Sequence, residues 1–542
     1  MKRLTMALSA ILLFVPIIVV SQNKITDMFV TSIYAVAQKT LNAGFYQIEP
    51  YPTGSPIGNW DWQGHANGIS YYPATAIIYA TLSLVTGIPL DVLVFIPLGI
   101  VFLIIAFLVL TREIFRNKLF VFAYLLIQIF YLRITYTLSY HILGFFFHTI
   151  ILIVLFKKFH GKLQDSPSSL TLFLLISITS LTYYTAAAWN LVFLTSTLVI
   201  VLLFKFRNIK GEGQKLNFIL VFTLFAAVLY FLCDRQFYKY IKEHQITEIL
   251  VNFVTYLGSR LTGSTVPMLK ERYSILTYDP LGRVLSYFPL AMMIFSIIYV
   301  SISLITKLRS KSKTLTMPLT FFTGIVACGT FENLAYFSYT QTIGNRYFQL
   351  FGLLISFYAI NNFLNRRKQQ SIRKKLWHIL AAILAILIIS SAFYNVYYGV
   401  FRGNVAIRSN APMQCESSSN WLAEHTSHSN IVSEHQTSGF IFASIISANK
   451  SDSIRVFPLN EDIYILYEAL IENDERTLSN LFSERTYYTI VFLKMFNKNP
   501  MFGDVWGYAV PPLDGQKNNL NNFTIFNKIY DDGNAEIFNY NR

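Results

Sequence analysis

Asn59 to His65 reads NWDWQGH, placing two tryptophans, an aspartate and a histidine between stretches of nearly pure hydrocarbon. Asp61 sits between Trp60 and Trp62 and precedes His65 by four positions. A carboxylate framed in this way is a candidate for general-base work or cation binding. The other reading is an interfacial anchor, because tryptophan gathers at headgroup depth with or without chemistry. Asp27 opens a second stretch, KITDMFVTSIYAVAQKTLNAGFY, whose apolar spacing predicts an amphipathic helix on the membrane interface. There the carboxylate either does chemistry or caps the helix start, which is worth about 1 kcal/mol.

Three further residues belong with these two. His141, in TLSYHILGFFFHTI, falls at the turn of a tight hairpin and is either a ligand for a metal or phosphate or a hydrogen-bonded structural residue. Glu332 and Arg346 flank another turn, GTFENLAYFSYTQTIGNRYFQLF. Charge at the mouth of an apolar span is costly, so a functional partner is the first expectation. The planar fork of Arg346 matches a phosphate group, and the alternative is that Arg346 pairs with Glu332.

The elements that must position these residues are membrane spans. The chain has 542 residues, a mean hydropathy of +0.44, 13% charged and 16% aromatic residues, far from the balance of a soluble domain. Carboxylates number 13 in residues 1 to 400 and 16 in the remaining 142, so the composition turns polar after Arg402. The net charge of +15 does not point to nucleic acid, because the basic residues lie in short clusters between apolar runs. Cys233, Cys328 and Cys415 show no metal spacing. The N-terminal run lacks a small-residue cleavage site and reads as an uncleaved anchor with its start inside.

Eleven spans are expected, over 4–20, 92–110, 119–138, 144–156, 170–187, 188–204, 216–233, 284–306, 315–331, 344–363 and 376–398. The apolar stretch from Tyr72 to Ile88 is read as a helix on the outer interface. With it excluded, six inner loops hold 22 lysines and arginines against two lysines in the first outer loop, and counting it as a span would move 20 of the 22 outside. The expected layout is a transmembrane domain over 1–400, with large outer loops at 21–91 and 234–283, and an extracytoplasmic α/β domain over 401–542. In that domain SDSIRVFPL and TYYTIVFLKM read as strands, IYILYEALIEND as a helix and FNKIYDDGNAEIFNY as a hairpin. Asn449 and Asn522 head glycosylation sequons.

Asp27 and its amphipathic helix, then NAGFY, NWDW, NGISYYPATAI and IPLDVLVFIPLG…LTREIF, resemble the first outer loop and second span of the GT-C membrane glycosyltransferases. The pattern is nearest to the catalytic subunit of oligosaccharyltransferase and covers residues 1 to about 150. The plan of spans followed by an outer domain ending in NKIYDDGNAEIF is similar to archaeal GT-C proteins. The resemblance implies a GT-C-like polytopic α-helical fold and an inverting transferase of the cell membrane. Such an enzyme moves a sugar from a polyprenyl- or dolichyl-phosphate donor to a lipid-linked glycan or protein acceptor on the outer face. It implies Asp27 as base or ligand of a divalent cation, Mg or Mn. Asp61 is then the second candidate, Arg346 the donor-phosphate ligand, and Trp60, Trp62, His65, His141 and Glu332 the further contacts. Two departures limit it. Ser139, Tyr140 and His141 stand where the family carries a second acidic motif, and the Trp-Trp-Asp-Tyr-Gly signature is absent, DVWGYAV at 504–510 being unlike it. Single-sugar transfer is therefore expected rather than transfer of a whole glycan to asparagine. A lipid or glycan flippase and a non-enzymatic membrane scaffold are the rival readings.

Overall fold

The computed structural model describes residues 28–45, 73–93, 98–115, 117–131, 140–160, 162–205, 213–233, 280–309, 317–340, 347–365, 371–396, 417–427, 429–448, 454–459, 462–485, 487–493, 501–502, 509–510 and 520–541. The first helices are α1 (Met28–Ala43), α2 (Pro73–Thr86), α3 (Leu90–Leu93), α4 (Leu98–Ile114), α5 (Lys118–Tyr131) and α6 (Tyr140–Phe159). Then come α7 (Asp165–Thr182), α8 (Tyr184–Lys205), α9 (Gly213–Cys233), α10 (Pro280–Arg309) and α11 (Met317–Thr340). A π-helical turn, Phe348–Gly352, leads into α12 (Leu353–Asn365), and α13 (Ser371–Val396) follows.

The segment 4–20 lies outside the described residues, and the described parts of the other expected spans are helical, with 92–110 divided between α3 and α4 and 170–187 between α7 and α8. Among the described residues three stretches, Ile142–Phe159, Thr185–Leu203 and Lys375–Phe393, are long and apolar enough to cross a membrane. The outward side of α13 exposes Leu376, Ile379, Ile383, Ile386, Ile389 and Phe393, and α10 exposes Ile294, Ile298, Ile302 and Ile305 in the same helical spacing. Rows of branched aliphatics this long do not face water in a soluble protein, whereas a hydrocarbon solvent makes them favourable. These are the helices of a membrane protein.

One boundary differs from the expected one. The break between the fifth and sixth expected spans, placed at 187/188, occurs at Tyr183, whose backbone is extended at φ −159° and ψ 118°. Ala186 to Ala188 therefore belong to α8. The reason lies in α6: a Cβ on Gly144 would stand 2.8 Å from Tyr183 Cβ and 3.2 Å from Ala186 Cβ, so α6 crosses the α7–α8 corner with no side chain between them. At the opposite end of the bundle, Glu113 at the close of α4 receives Lys157 at 3.4 Å and Lys162 at 2.7 Å from the end of α6 and its following turn.

The C-terminal part forms a five-stranded sheet in the order β2-β1-β3-β7-β6. Its strands are β1 (Ser429–Ser433), β2 (Ile454–Pro458), β3 (Thr489–Leu493), β6 (Phe526–Asp531) and β7 (Ala535–Tyr540), and a small pair, β4 (Met501–Phe502) and β5 (Ala509–Val510), stands apart. β1 runs parallel to β2 and β3, while β7 is antiparallel to β3 and β6. Alternation along each strand divides the core in two. Ile431, Val456, Val491 and Ile537 face one side, against α14 (His435–Ser447) and the helix over 417–425. Val432, Phe457, Ile490 and Phe538 face the other, against α15 (Asp462–Glu472) and α16 (Glu475–Arg485). A sheet buried on both faces needs apolar residues at successive positions, which these strands have. The expected hairpin is present, turning at Gly533 with φ +89°, where Asp532 Oδ1 accepts the N–H groups of Asn534 and Ala535 at 2.9 and 2.8 Å.

Candidate functional site

α1, which begins at the residue after Asp27, packs on α2 along one side and on α14 along another. Ile33, Ala35, Val36 and Ala37 are buried in a core that runs without interruption from the helix bundle to Ile441, Phe442 and Ile445 of α14. Alanines at 35 and 37 let the neighbouring backbones come close. The helix closes at Gly44, φ +73°, within the NAGFY stretch, whose N–H reaches Thr40 O at 3.0 Å. α2 buries Thr75, Ala76, Tyr79 and Ala80 and exposes Ile77, Leu84 and Val85. From Pro73 to Thr86 it is 14 residues long, about 21 Å at 1.5 Å per residue, against the ~30 Å of a bilayer core.

Beneath that end of the bundle lies a polar layer inside otherwise apolar packing. His148 of α6 is fully buried; its Nδ1 lies 2.6 Å from Asn190 Oδ1 on α8, and its Nε2 lies 3.0 Å from the Tyr347 hydroxyl. An amide oxygen only accepts, so His148 donates through Nδ1 to Asn190. The Tyr347 amide N–H donates to Glu332 Oε2 of α11 at 2.6 Å. Trp189 packs edge-on to the Tyr347 ring at 4.7 Å and stacks on Phe145 at 5.0 Å. Cys328 Sγ, on α11 and a free thiol, donates to Trp189 O at 3.2 Å. Three helices, α6, α8 and α11, thus converge on Tyr347. His148 stands eight residues from the start of α6 and Glu332 eight from the end of α11, so both lie about 12 Å below the same rim.

The sequence-derived candidates fall into two groups. Asp27, Trp60, Asp61, Trp62, His65 and Arg346 lie outside the described residues, as do Asn449 and Cys415. His141, expected at a turn, is within the first turn of α6. Glu332, expected beside a turn, lies inside α11, which continues to Thr340, and it is 3% exposed. The structure brings Glu332 to Tyr347. It also adds His148, Trp189, Asn190 and Tyr347, which the sequence reading passed over, and Cys328, which it named without a role. Their signal was present: HTI inside GFFFHTIILIV and WNL inside AAAWNLVFL put hydrogen-bonding side chains in the middle of apolar runs, where they are costly unless partnered. Among the described residues no three His, Cys, Asp or Glu side chains converge as a metal site would require.

The architecture is therefore that of a helical membrane protein carrying a small α/β sheet domain, with α1 at the junction of the two. No family model matches the chain, and no curated protein matches it. Among solved structures it is similar to the archaeal oligosaccharyltransferase AglB from Archaeoglobus fulgidus, determined in complex with an inhibitory peptide and a dolichol-phosphate. The TM-score is 0.44 at 13% identity, over 86% of this chain and 66% of that one. The chain thus spans just under two thirds of the length of that protein.

Proposed function

We propose that the chain is a membrane glycosyltransferase of GT-C type, which takes a sugar from a polyprenyl-phosphate donor and passes it with inversion to a lipid-linked glycan or protein acceptor at the outer face. The observation that carries this reading is the position of α1. The helix that starts one residue after Asp27 is held between α2 of the bundle and α14 of the sheet domain. That helix joins a hydrophobic part able to hold a lipid tail to a polar part able to hold an acceptor, and Asp27 is its neighbour in sequence. The short α2, with one side buried and the other apolar and exposed, supports an interfacial helix and hence an outer sheet domain.

In this reading Asp27 takes the acceptor proton or holds a divalent cation, and Asp61 with its tryptophans binds sugar or acceptor. Arg346 neutralises the departing phosphate through paired hydrogen bonds. The test is transfer from a radiolabelled polyprenyl-phosphate sugar by purified Asp27→Asn and Asp61→Asn proteins, with and without EDTA. Loss of about 100-fold or more in the Asp27 variant is expected, in line with removal of a general base. Full activity in both variants removes the enzymatic assignment. Cysteine labelling that puts position 449 and the 366–375 basic patch on one side of the bilayer removes the sidedness.

A further inference from the structure

We infer that the furrow between α4 and α6 binds one acyl chain of an anionic phospholipid, whose phosphate is held at the basic end of the bundle by Arg112, Lys157 and Lys162. This site is separate from the polar layer around Tyr347 and does not depend on the proposed transfer reaction.

The two helices run parallel and in register. Phe102 of α4 meets Phe146 of α6 with ring centroids 5.7 Å apart, and Glu113 at the close of α4 meets Lys157 of α6 at 3.4 Å. Before the aromatic pair, Gly99 lets Ile142 Cγ2 come within 2.9 Å of where a Cβ would stand. Two parallel cylinders in contact leave a furrow along their flank, and here its walls are apolar. α4 exposes Phe102, Ile105 and Val109, three or four residues apart and so on one face, and the next residue of that face is the exposed Arg112. From Ile142 to Phe156, α6 is buried except at Phe146, Phe147, Ile150 and Val154, and Lys157 continues that stripe. Phe102, Phe146, Glu113 and Lys157 are all partly exposed, so the two stripes border the same furrow.

Length selects the tail. From Phe102 to Arg112, and from Phe146 to Lys157, each wall runs about 15 Å at 1.5 Å per residue. That is half of the ~30 Å hydrocarbon core, the depth of one leaflet. The aromatic pair therefore closes the furrow near the bilayer midplane, and the cations stand at headgroup level.

Charge selects the headgroup. Lys157 and Lys162 share one carboxylate, Glu113, at 3.4 and 2.7 Å, and among the described residues no carboxylate pairs with Arg112. Three cations thus surround one anion, and a phosphodiester restores the balance. A zwitterionic lipid brings its own cation and restores less of it. Glu113 also ties the two lysine heads to the end of α4 beside Arg112, so the donors are gathered in one place instead of spread over free stems. Basic pockets between membrane helices take anionic headgroups in this way, and the arginine fork offers a phosphate two parallel N–H groups.

The test is native mass spectrometry of the full chain in detergent, titrated with dioleoyl phosphatidylglycerol or dioleoyl phosphatidylcholine. The first phosphatidylglycerol should bind about tenfold more tightly than phosphatidylcholine. Arg112→Gln with Lys157→Gln should bring the two lipids to equal affinity, while Lys162 still pairs with Glu113. Lys307→Gln with Arg309→Gln removes the same charge from the end of α10 and should keep the preference. Equal loss in both double variants would assign the preference to diffuse surface charge and overturn the site, as would a parent protein that binds the two lipids alike. The tail is read separately: Ile105→Trp fills the furrow, leaves every cation in place and should weaken both lipids. An Ile105→Trp protein that binds as the parent does overturns the furrow. Should the Arg112 and Lys157 double variant fail to fold, Arg112→Gln alone carries the same comparison, since that side chain has no described carboxylate partner to lose.

Discussion

His148 and Asn190, 42 residues apart in sequence and on different helices, meet at 2.6 Å with no more than 1% of either residue exposed. The contact joins α6 to α8 at the level where Glu332 joins α11 to Tyr347. Replacing Asn190 by Leu leaves the His148 Nδ1–H without an acceptor in an apolar setting, an expected cost of about 1–3 kcal/mol. His148→Phe in the same protein removes the stranded donor, so the pair should be more stable than the sum of the single losses, by a coupling on the order of 0.5–3 kcal/mol. Thermal unfolding in detergent measures this, and strictly additive losses would mean that the contact is no energetic link.

Gly329 of α11 makes room for the ring that follows Tyr347. A Cβ there would lie 2.5 Å from Phe348 Cε2 and 2.7 Å from Cδ2, and the ring is closed in behind by Gly352, whose added Cβ would meet Phe348 Cδ1 at 3.1 Å. Gly329→Ala should therefore overpack the site by about 1–3 kcal/mol and displace the π turn. Phe348→Leu introduced together with it should recover part of the stability. A Gly329→Ala protein as stable as the parent would contradict the close approach of α11 to this turn.

Much of this architecture can be read directly from residue patterns. The apolar runs locate the helices, IYILYEALIEND becomes α15, and Asp532-Gly533-Asn534 makes the hairpin turn because glycine takes the left-handed backbone there. The inner strand β1 escapes notice because SNIVS has only Ile431 and Val432 as apolar residues; its place is set by pairing to both β2 and β3, which no local pattern reports. Likewise α11 runs past the end of its hydrophobic stretch, through ENLAYFSYT, since backbone hydrogen bonds and not hydropathy decide where a helix stops. That extension carries Glu332 into the bundle. The convergence on Tyr347 was illegible for a related reason. His148, Asn190 and Cys328 each look like an isolated exception within a hydrocarbon run, and only the crossing of α6, α8 and α11 shows that they answer one another.

The sheet domain carries a separate, acid-sensitive joint. Asp474 caps α16, accepting the Thr477 N–H at 3.1 Å and its hydroxyl at 2.6 Å, and Glu475 accepts the Thr524 hydroxyl at 2.5 Å and the Ile525 N–H at 2.9 Å. The Thr477 hydroxyl holds the Asp474 carboxyl below its usual value, and the Thr524 hydroxyl does the same for Glu475. A carboxyl whose folded pKa is depressed contributes stability above its unfolded value, about 3.9 for Asp and 4.3 for Glu, and loses it as the pH falls through the lower, folded value. Protection of α16 amides in hydrogen exchange should accordingly be constant from pH 7 to about 5 and weaken below about 4. Asp474→Ala with Glu475→Ala should lower protection at neutral pH and flatten the acid dependence. Acid loss in α16 of equal size in the double variant would assign it to other groups.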